Sequence, residues 1–112
     1  MNSIYVIGSS NTDMVVQCKH LPKPGETILG GDFISAHGGK GANQAVAAAR
    51  LGGKVVFIGH VGNDSFGHES LQAYQAEGID TQYMVIDPHG PSGIALILVG
   101  EGGENMIAVA SG

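Results

Sequence analysis

Five basic residues and one cysteine are all that the 112 positions hold of either kind, and each scarcity excludes something. With so few Lys and Arg, none of them clustered, and a formal net charge of −5, the chain offers no surface for nucleic acid or for an anionic membrane. A polyphosphate ligand would have to be held by backbone N–H groups and metal ions more than by a basic patch. Cys18 has no partner for an internal disulfide and reads as a reduced, packed thiol in a cytoplasmic protein. No apolar stretch approaches the length of a membrane helix. The N-terminal run Ile4-Tyr5-Val6-Ile7 is too short for a signal peptide and lacks its basic flank and cleavage pattern. What remains, 43% apolar residues, suits a soluble domain with one small core.

Glycine, in contrast, occurs 19 times, and one cluster heads an alanine-rich helical pattern: Gly38-Gly39-Lys40-Gly41-Ala42-Asn43-Gln44-Ala45. Glycine accepts backbone angles closed to other residues and keeps side chains out of the way. The first N–H groups of a helix have no intrahelical partner and can be aimed at oxygen. The run therefore fits either a site for a small, oxygen-rich ligand or a structural turn that caps a packed helix. Two commoner glycine motifs fail here. A Walker-type phosphate loop needs glycine six residues before its lysine and Ser or Thr directly after, where this chain has Ile34 and Gly41. A dinucleotide fingerprint read from Gly39 needs glycine in place of Gln44, and the strand ending at Gly8 runs on into Ser9, Ser10 and Asn11.

That first strand ends in Gly8-Ser9-Ser10-Asn11-Thr12-Asp13. In α/β sheets ligands sit beyond the carboxyl ends of strands. An amide and a carboxylate two residues apart point the same way in extended backbone and together offer donors and acceptors to adjacent hydroxyls, which suits a polyol. Asn11 and Asp13 equally fit turn residues that bond their own backbone.

The pattern alternates strand and helix, which implies a parallel sheet flanked by helices. Strands are expected at 4–8, 54–61 and 82–86, and helices at about 40–51 and 64–77. Ala42, Ala45, Val46 and Ala49 share one helical face, small enough for close approach to a sheet, and Gly52-Gly53 stops that helix. In the second helix Asp64 or Ser65 caps the start, Leu71 and Tyr74 can face inward, and Gly78 supplies the stop. Residues 14–37 are too long for an ordinary strand-to-helix connection. Met14-Val15-Val16 and Thr27-Ile28-Leu29, separated by Leu21-Pro22-Lys23-Pro24-Gly25, read as strands of their own. Ile94 to Val99, a turn at Gly100 to Gly103, and Met106 to Val109 read as a hairpin.

Taken together, Gly8 to Asp13, Pro24-Gly25-Glu26-Thr27, the run from Gly38 to Ala48, Gly62-Asn63-Asp64-Ser65-Phe66-Gly67 and Ser92 to Ile97 resemble the N-terminal part of the PfkB-type carbohydrate kinases. Within that family, Asn-x-Asp followed by Gly-Gly-Lys-Gly-Ala-Asn-Gln-Ala is similar to ribokinases more than to adenosine kinases or fructokinases. The resemblance spans nearly the whole chain. It implies a ribokinase-like three-layer α/β sandwich of which residues 1–112 are the N-terminal part. It also implies a small β-sheet lid, with strands within 12–37 and 92–110, that covers a sugar and forms a homodimer contact.

The implied substrate positions are Asn11, Thr12 and Asp13 on one side, with Asp13 making the charge-assisted contacts, and Gly39, Lys40, Gly41, Ala42 and Asn43 on the other. Ala95 and Ile97, alternating onto one face of the hairpin, fit an apolar wall over the sugar or ordinary core. Lys40 fits either a charge partner for the transferred phosphate or a solvated lysine. The implied reaction moves the γ-phosphoryl of Mg-ATP to the primary hydroxyl of D-ribose, with Mg2+ and K+ as implied ions. The family's catalytic aspartate lies in a Gly-Ala-Gly-Asp-type motif towards the C-terminus. None of Asp13, Asp32, Asp64, Asp80 and Asp87 sits in such a motif, so no catalytic base is expected among these residues. The alternatives are an inactive sugar-binding or dimerisation module, a kinase of the same family for another sugar or a nucleoside, and, against the missing fingerprint, a nucleotide-binding oxidoreductase half-domain.

Overall fold

Strand and helix alternate as expected in the computed structural model, which describes residues 2–112. The order is β1 (Ser3–Ile7), β2 (Asn11–Cys18), β3 (Phe33–Gly38), α1 (Lys40–Arg50), β4 (Lys54–Ile58), β5 (His60–Gly62), α2 (Ser65–Ala76), β6 (Val85–Asp87), β7 (Gly93–Gly100) and β8 (Asn105–Ala110). The fold class is α/β, with parallel pairs β1–β4 and β5–β6 beside a four-stranded sheet in the order β3-β2-β7-β8. No helix among the described residues is long and apolar enough to cross a membrane.

The expected strand at 54–61 is one apolar run that changes partner at Gly59. Ile58 accepts from the Gly8 N–H at 3.1 Å on the β1 side, and Gly59 accepts from the Val85 N–H at 2.9 Å on the β6 side. The strand expected at 82–86 accordingly forms at Val85–Asp87, where its partner β5 is available. Thr27-Ile28-Leu29 is not a strand, and Phe33–Gly38 takes that place in the sheet. Prolines at 22 and 24 and glycines at 25, 30 and 31 break the backbone around the former, and Leu29 is 96% exposed. The chain rejoins β2 through the bond from the Gln17 N–H to the Asp32 carbonyl and then pairs antiparallel from Phe33 onward.

The core lies where both helices meet β4: Ala42, Ala45, Val55, Phe57, Tyr74 and Ile79, with Val46 and Ala49 packed against it. Both helices end in the same way. Gly52, at φ +91°, donates to Ala49 and Gly53 donates to Ala48; Gly78, at φ +80°, donates to Gln75 and Ile79 donates to Tyr74. These are paired bonds that satisfy terminal carbonyls and need a left-handed residue after the cap. At the second of these stops Ile79 and Tyr74 also meet in the core, so capping and packing reinforce one another.

Asp64 is the N-cap of α2, accepting the Gly67 N–H at 2.9 Å, and it reaches further. The Ser92 hydroxyl donates to it at 2.7 Å and the Ser92 N–H at 2.9 Å, tying the helix start to the root of β7. These Ser92 bonds, above all the hydroxyl, hold the carboxyl below its ordinary value. A lowered folded pKa gives stability that is complete above the unfolded carboxylate value, near 3.9, and is lost as pH falls through the folded one. Asp64→Ala is expected to cost about 0.5 to 2 kcal/mol at pH 7 on the strength of the cap alone. The deficit against the parent should shrink in acid below about pH 4, where the parent carboxylate also protonates; urea unfolding at both pH values measures it.

Candidate functional site

The turn Gly8-Ser9-Ser10 carries the chain from the end of β1 into β2, and everything at the site depends on how that turn is held. Helix α1 begins directly against it. A Cβ on Gly41 would lie 2.6 Å from the backbone of Gly8, and one on Gly39, at φ +99°, would lie 2.6 Å from the Ser9 carbonyl oxygen. The Ala42 N–H donates to that same oxygen at 2.9 Å. Glycine is required at 39 and 41 because backbone meets backbone there. One of the unpaired donors at the helix start is therefore engaged in fixing the turn. The Ala42 side chain is core, 2% exposed.

Beyond the turn the polar residues alternate. Asn11 and Asp13 lie on one face of the four-stranded sheet, in cross-strand rows with Gly38 and Gly93, and with Ala36, Ala95 and Val109. Ile97 follows on the same face in the row of Val15, Ile34 and Ile107. Thr12 falls on the opposite face and is 5% exposed, so its side chain is not in the Asn11 and Asp13 row. Two glycines make room for the polar pair. A Cβ on Gly38 would stand 2.5 Å from Asp13 Oδ2, and one on Gly93 would stand 2.4 Å from Asn11 Oδ1. Both side chains thus lie along the sheet, each over a residue that has none.

Asp13 differs from Asp64, Asp80 and Asp87 in the company it keeps. The Asp64 carboxylate is engaged by Gly67 and Ser92, that of Asp80 by Gln82, and that of Asp87 by the His89 N–H and by His60 at 3.4 Å. Backbone N–H groups of His89 and Gly90 are the main cause holding the Asp87 carboxyl below its ordinary value. Among the described residues no side-chain hydrogen bond or ion pair engages either Asn11 or Asp13. Their acceptors and donors are available to a ligand.

Asn11 opens on a cleft of about 240 Å3 at the carboxyl ends of β1 and β6, lined also by Ser9, Ser10, His60, Asp87 and Gly93. His60 and Asp87 were not legible as site-lining residues, since no motif marks them and only the pairing of β5 with β6 brings them to the cleft. Asn43 lies elsewhere, in a groove of about 420 Å3 between α1 and α2 with His37, Arg50, Tyr74 and Glu77. Lys40 is exposed at the helix start. The structure therefore brings Asn11, Asp13, Ala95 and Ile97 onto one face and sets Gly39 and Gly41 against the turn behind them. Among the described residues no group of three or more His, Cys, Asp or Glu side chains is placed to hold a metal ion.

Comparison with known proteins bears on the family and the fold. The family model described as pfkB family carbohydrate kinase matches residues 1–112. The chain is 49% identical over 112 residues to a ribokinase of Bacillus subtilis, covering 100% of this chain and 38% of that protein. A solved ribokinase from Giardia lamblia superposes with a TM-score of 0.87 at 42% identity, covering 98% of this chain and 34% of that one. An Arabidopsis thaliana ribokinase solved with ribose and ATP gives 0.86 at 34% identity, covering 95% and 35%. The chain thus spans little more than a third of the length of the curated relatives it matches.

Proposed function

Because the chain belongs to the pfkB family of carbohydrate kinases, we propose that it forms the sugar-binding side of a cytoplasmic kinase that phosphorylates D-ribose at its primary 5-hydroxyl to give ribose 5-phosphate. The observation that carries this reading is the pair Asn11 and Asp13, on one sheet face with unengaged polar ends and glycine beneath each. A carboxylate accepting from two adjacent hydroxyls and an amide that both donates and accepts are what a furanose edge requires. Ala95, 6% exposed, and Ile97 supply the apolar wall beside them, and Gly39 and Lys40 close the site from the start of α1.

In the reaction the ribose hydroxyl oxygen bonds to the γ-phosphorus of ATP, the bond to the ADP oxygen breaks, and the hydroxyl proton passes to a base. Asn11 and Asp13 orient the hydroxyl, and the four-stranded sheet, acting as a lid, keeps water from competing for the phosphoryl group. Mg2+ would neutralise charge on the transferred phosphoryl group. Among the described residues no group of three or more His, Cys, Asp or Glu side chains is placed to hold it. We assign its site, those for K+ and ATP, and the base to the part of the family's length that this chain does not span. Residues 1–112 on this reading are the N-terminal part of one domain and inactive alone.

The four-stranded sheet leaves Phe33, Leu96 and Met106 exposed on one face and Ile34, Ile107 and Val109 on the other. A thin sheet with apolar residues on both sides needs cover, and a second copy of the lid supplies it in a homodimer.

The test is ATP-dependent phosphorylation of D-ribose, 2-deoxyribose, fructose and adenosine by this chain and by the full open reading frame that encodes it. Ribose turnover by the long form is expected. No turnover of any sugar by a folded long form would remove the sugar-site reading, and preference for another of the four would replace ribose.

A further inference from the structure

Tyr74 is a core residue whose hydroxyl, as well as its ring, is engaged. The side chain is 1% exposed and packs edge-on against Phe57, with ring centroids 5.3 Å apart and an interplanar angle of 77°. A phenylalanine would fill that space equally well. The hydroxyl instead emerges at the β1–β2 turn and forms a hydrogen bond with the Ser10 hydroxyl, itself on a residue 6% exposed. Ser10 is the residue before Asn11. On its other side Tyr74 meets the His37 ring edge-on at 6.3 Å, and His37 Nδ1 stands 3.4 Å from the hydroxyl of Ser70, one helical turn before Tyr74. His37 pairs with Thr12 across β2 and β3 and precedes Gly38-Gly39-Lys40.

Thr12 and His37 point to the face of the sheet opposite Asn11 and Asp13, and Tyr74, which meets His37 there and reaches Ser10 in the turn, lies behind the polar pair. We infer that Tyr74, through Ser10 and His37, is a positioning residue that sets the roots of β2 and β3 and thereby the orientation of Asn11 and Asp13 towards the sugar. The inference rests on the sugar-site reading given above. Helix α1 already holds the turn at Ser9 through the Ala42 N–H. The Gly8 N–H is held as well, by the Ile58 carbonyl, and the contact from α2 adds a hold at Ser10, the residue that leads into Asn11. Nothing in the local sequence marks the pair, which is separated by 64 residues.

The experiment uses the full open reading frame with Tyr74→Phe, Ser10→Ala, the double variant, and Ser10→Thr, which keeps a hydroxyl. Tyr74→Phe leaves the buried Ser10 hydroxyl without its partner and Ser10→Ala takes one from the Tyr74 hydroxyl, whereas the double variant removes both ends of the bond. KM for ribose is expected to rise about fivefold in each single variant, the size of one lost buried hydrogen bond. The double variant should rise no further, and Ser10→Thr should stay near the parent. The kcat and the KM for ATP should remain within about twofold, the split a role confined to binding geometry predicts. An unchanged KM for ribose in folded variants, or a KM effect that is additive in the double variant, overturns the inference.

Amide hydrogen exchange on the same proteins gives a readout independent of sugar. Faster exchange at residues 10–13 and 37–40, with the second half of α2 unchanged, supports positioning even if the parent fails to turn over ribose, an outcome that would count against the ribose reading alone. Unaltered exchange at those residues overturns the positioning role whatever the substrate proves to be.

Discussion

Replacing Asp13 by alanine in the full open reading frame is expected to lower kcat/KM for ribose by more than tenfold while leaving the fold intact. A hydrogen bond to a charged group is worth about 1.5 to 3 kcal/mol, which corresponds to a loss of roughly 10- to 150-fold. The fold should survive because the carboxylate supports no structural contact: it lies along the sheet over Gly38 and is engaged by no other side chain among the described residues. Asp64→Ala is the informative contrast. Its carboxylate is engaged at both oxygens, so that variant should lose stability and keep its KM for ribose. Steady-state kinetics and urea unfolding on both variants separate the two cases. Parent-like kinetics for Asp13→Ala would take this residue out of the site.

Gly41→Ala is expected to damage both stability and sugar affinity although it adds a single methyl group. The new Cβ would stand 2.6 Å from Gly8 C and Cα and 2.7 Å from Ser9 N. All three are backbone atoms, so no side-chain rotation relieves the contact. Either α1 moves away from the β1–β2 turn or the turn moves, and in both cases the bond from the Ala42 N–H to the Ser9 carbonyl lengthens. Overpacking of this kind costs about 1 to 3 kcal/mol. Because the turn leads straight into Asn11, KM for ribose should rise alongside. Gln44→Ala, on an exposed position of the same helix, should shift stability by less than about 0.5 kcal/mol. A Gly41→Ala protein with the parent's urea midpoint and kinetics would show that the contact between α1 and the turn is soft.

Both results depend on features that the sequence revealed only in part. The glycine run Gly38 to Gly41 was legible as a place where backbone comes close to something. Its structural use proves to be twofold: Gly39 and Gly41 approach the turn of β1, and Gly38 makes room for Asp13. The alternation that puts Asn11 and Asp13 on one face follows from extended backbone alone. It also places Thr12 behind the sheet, although the motif resemblance names all three residues together. The expected strand at Thr27 to Leu29 failed because three apolar or β-branched residues between glycines and prolines are a composition, and pairing decided for Phe33–Gly38 instead. Asn43 shows the same limit, since its position on α1 turns it into the groove with His37 and Tyr74.

What the sequence determined by itself is what local forces determine. The two helices start and stop where Asp64, Gly52 and Gly78 place them, β1 and the β7–β8 hairpin form where the apolar runs lie, and the small residues of α1 face the core. Each of these rests on groups a few residues apart, whose preferences act before the chain has a tertiary structure. Only the tertiary structure decided that β2 pairs parallel with β7, that Asn11 lies over Gly93, that Asp64 holds Ser92 and that Tyr74 reaches Ser10. Those partners are 28 to 82 residues apart in the chain, and contact at such separation leaves no periodic trace in the sequence. It is settled by which buried polar groups find partners once the core has closed.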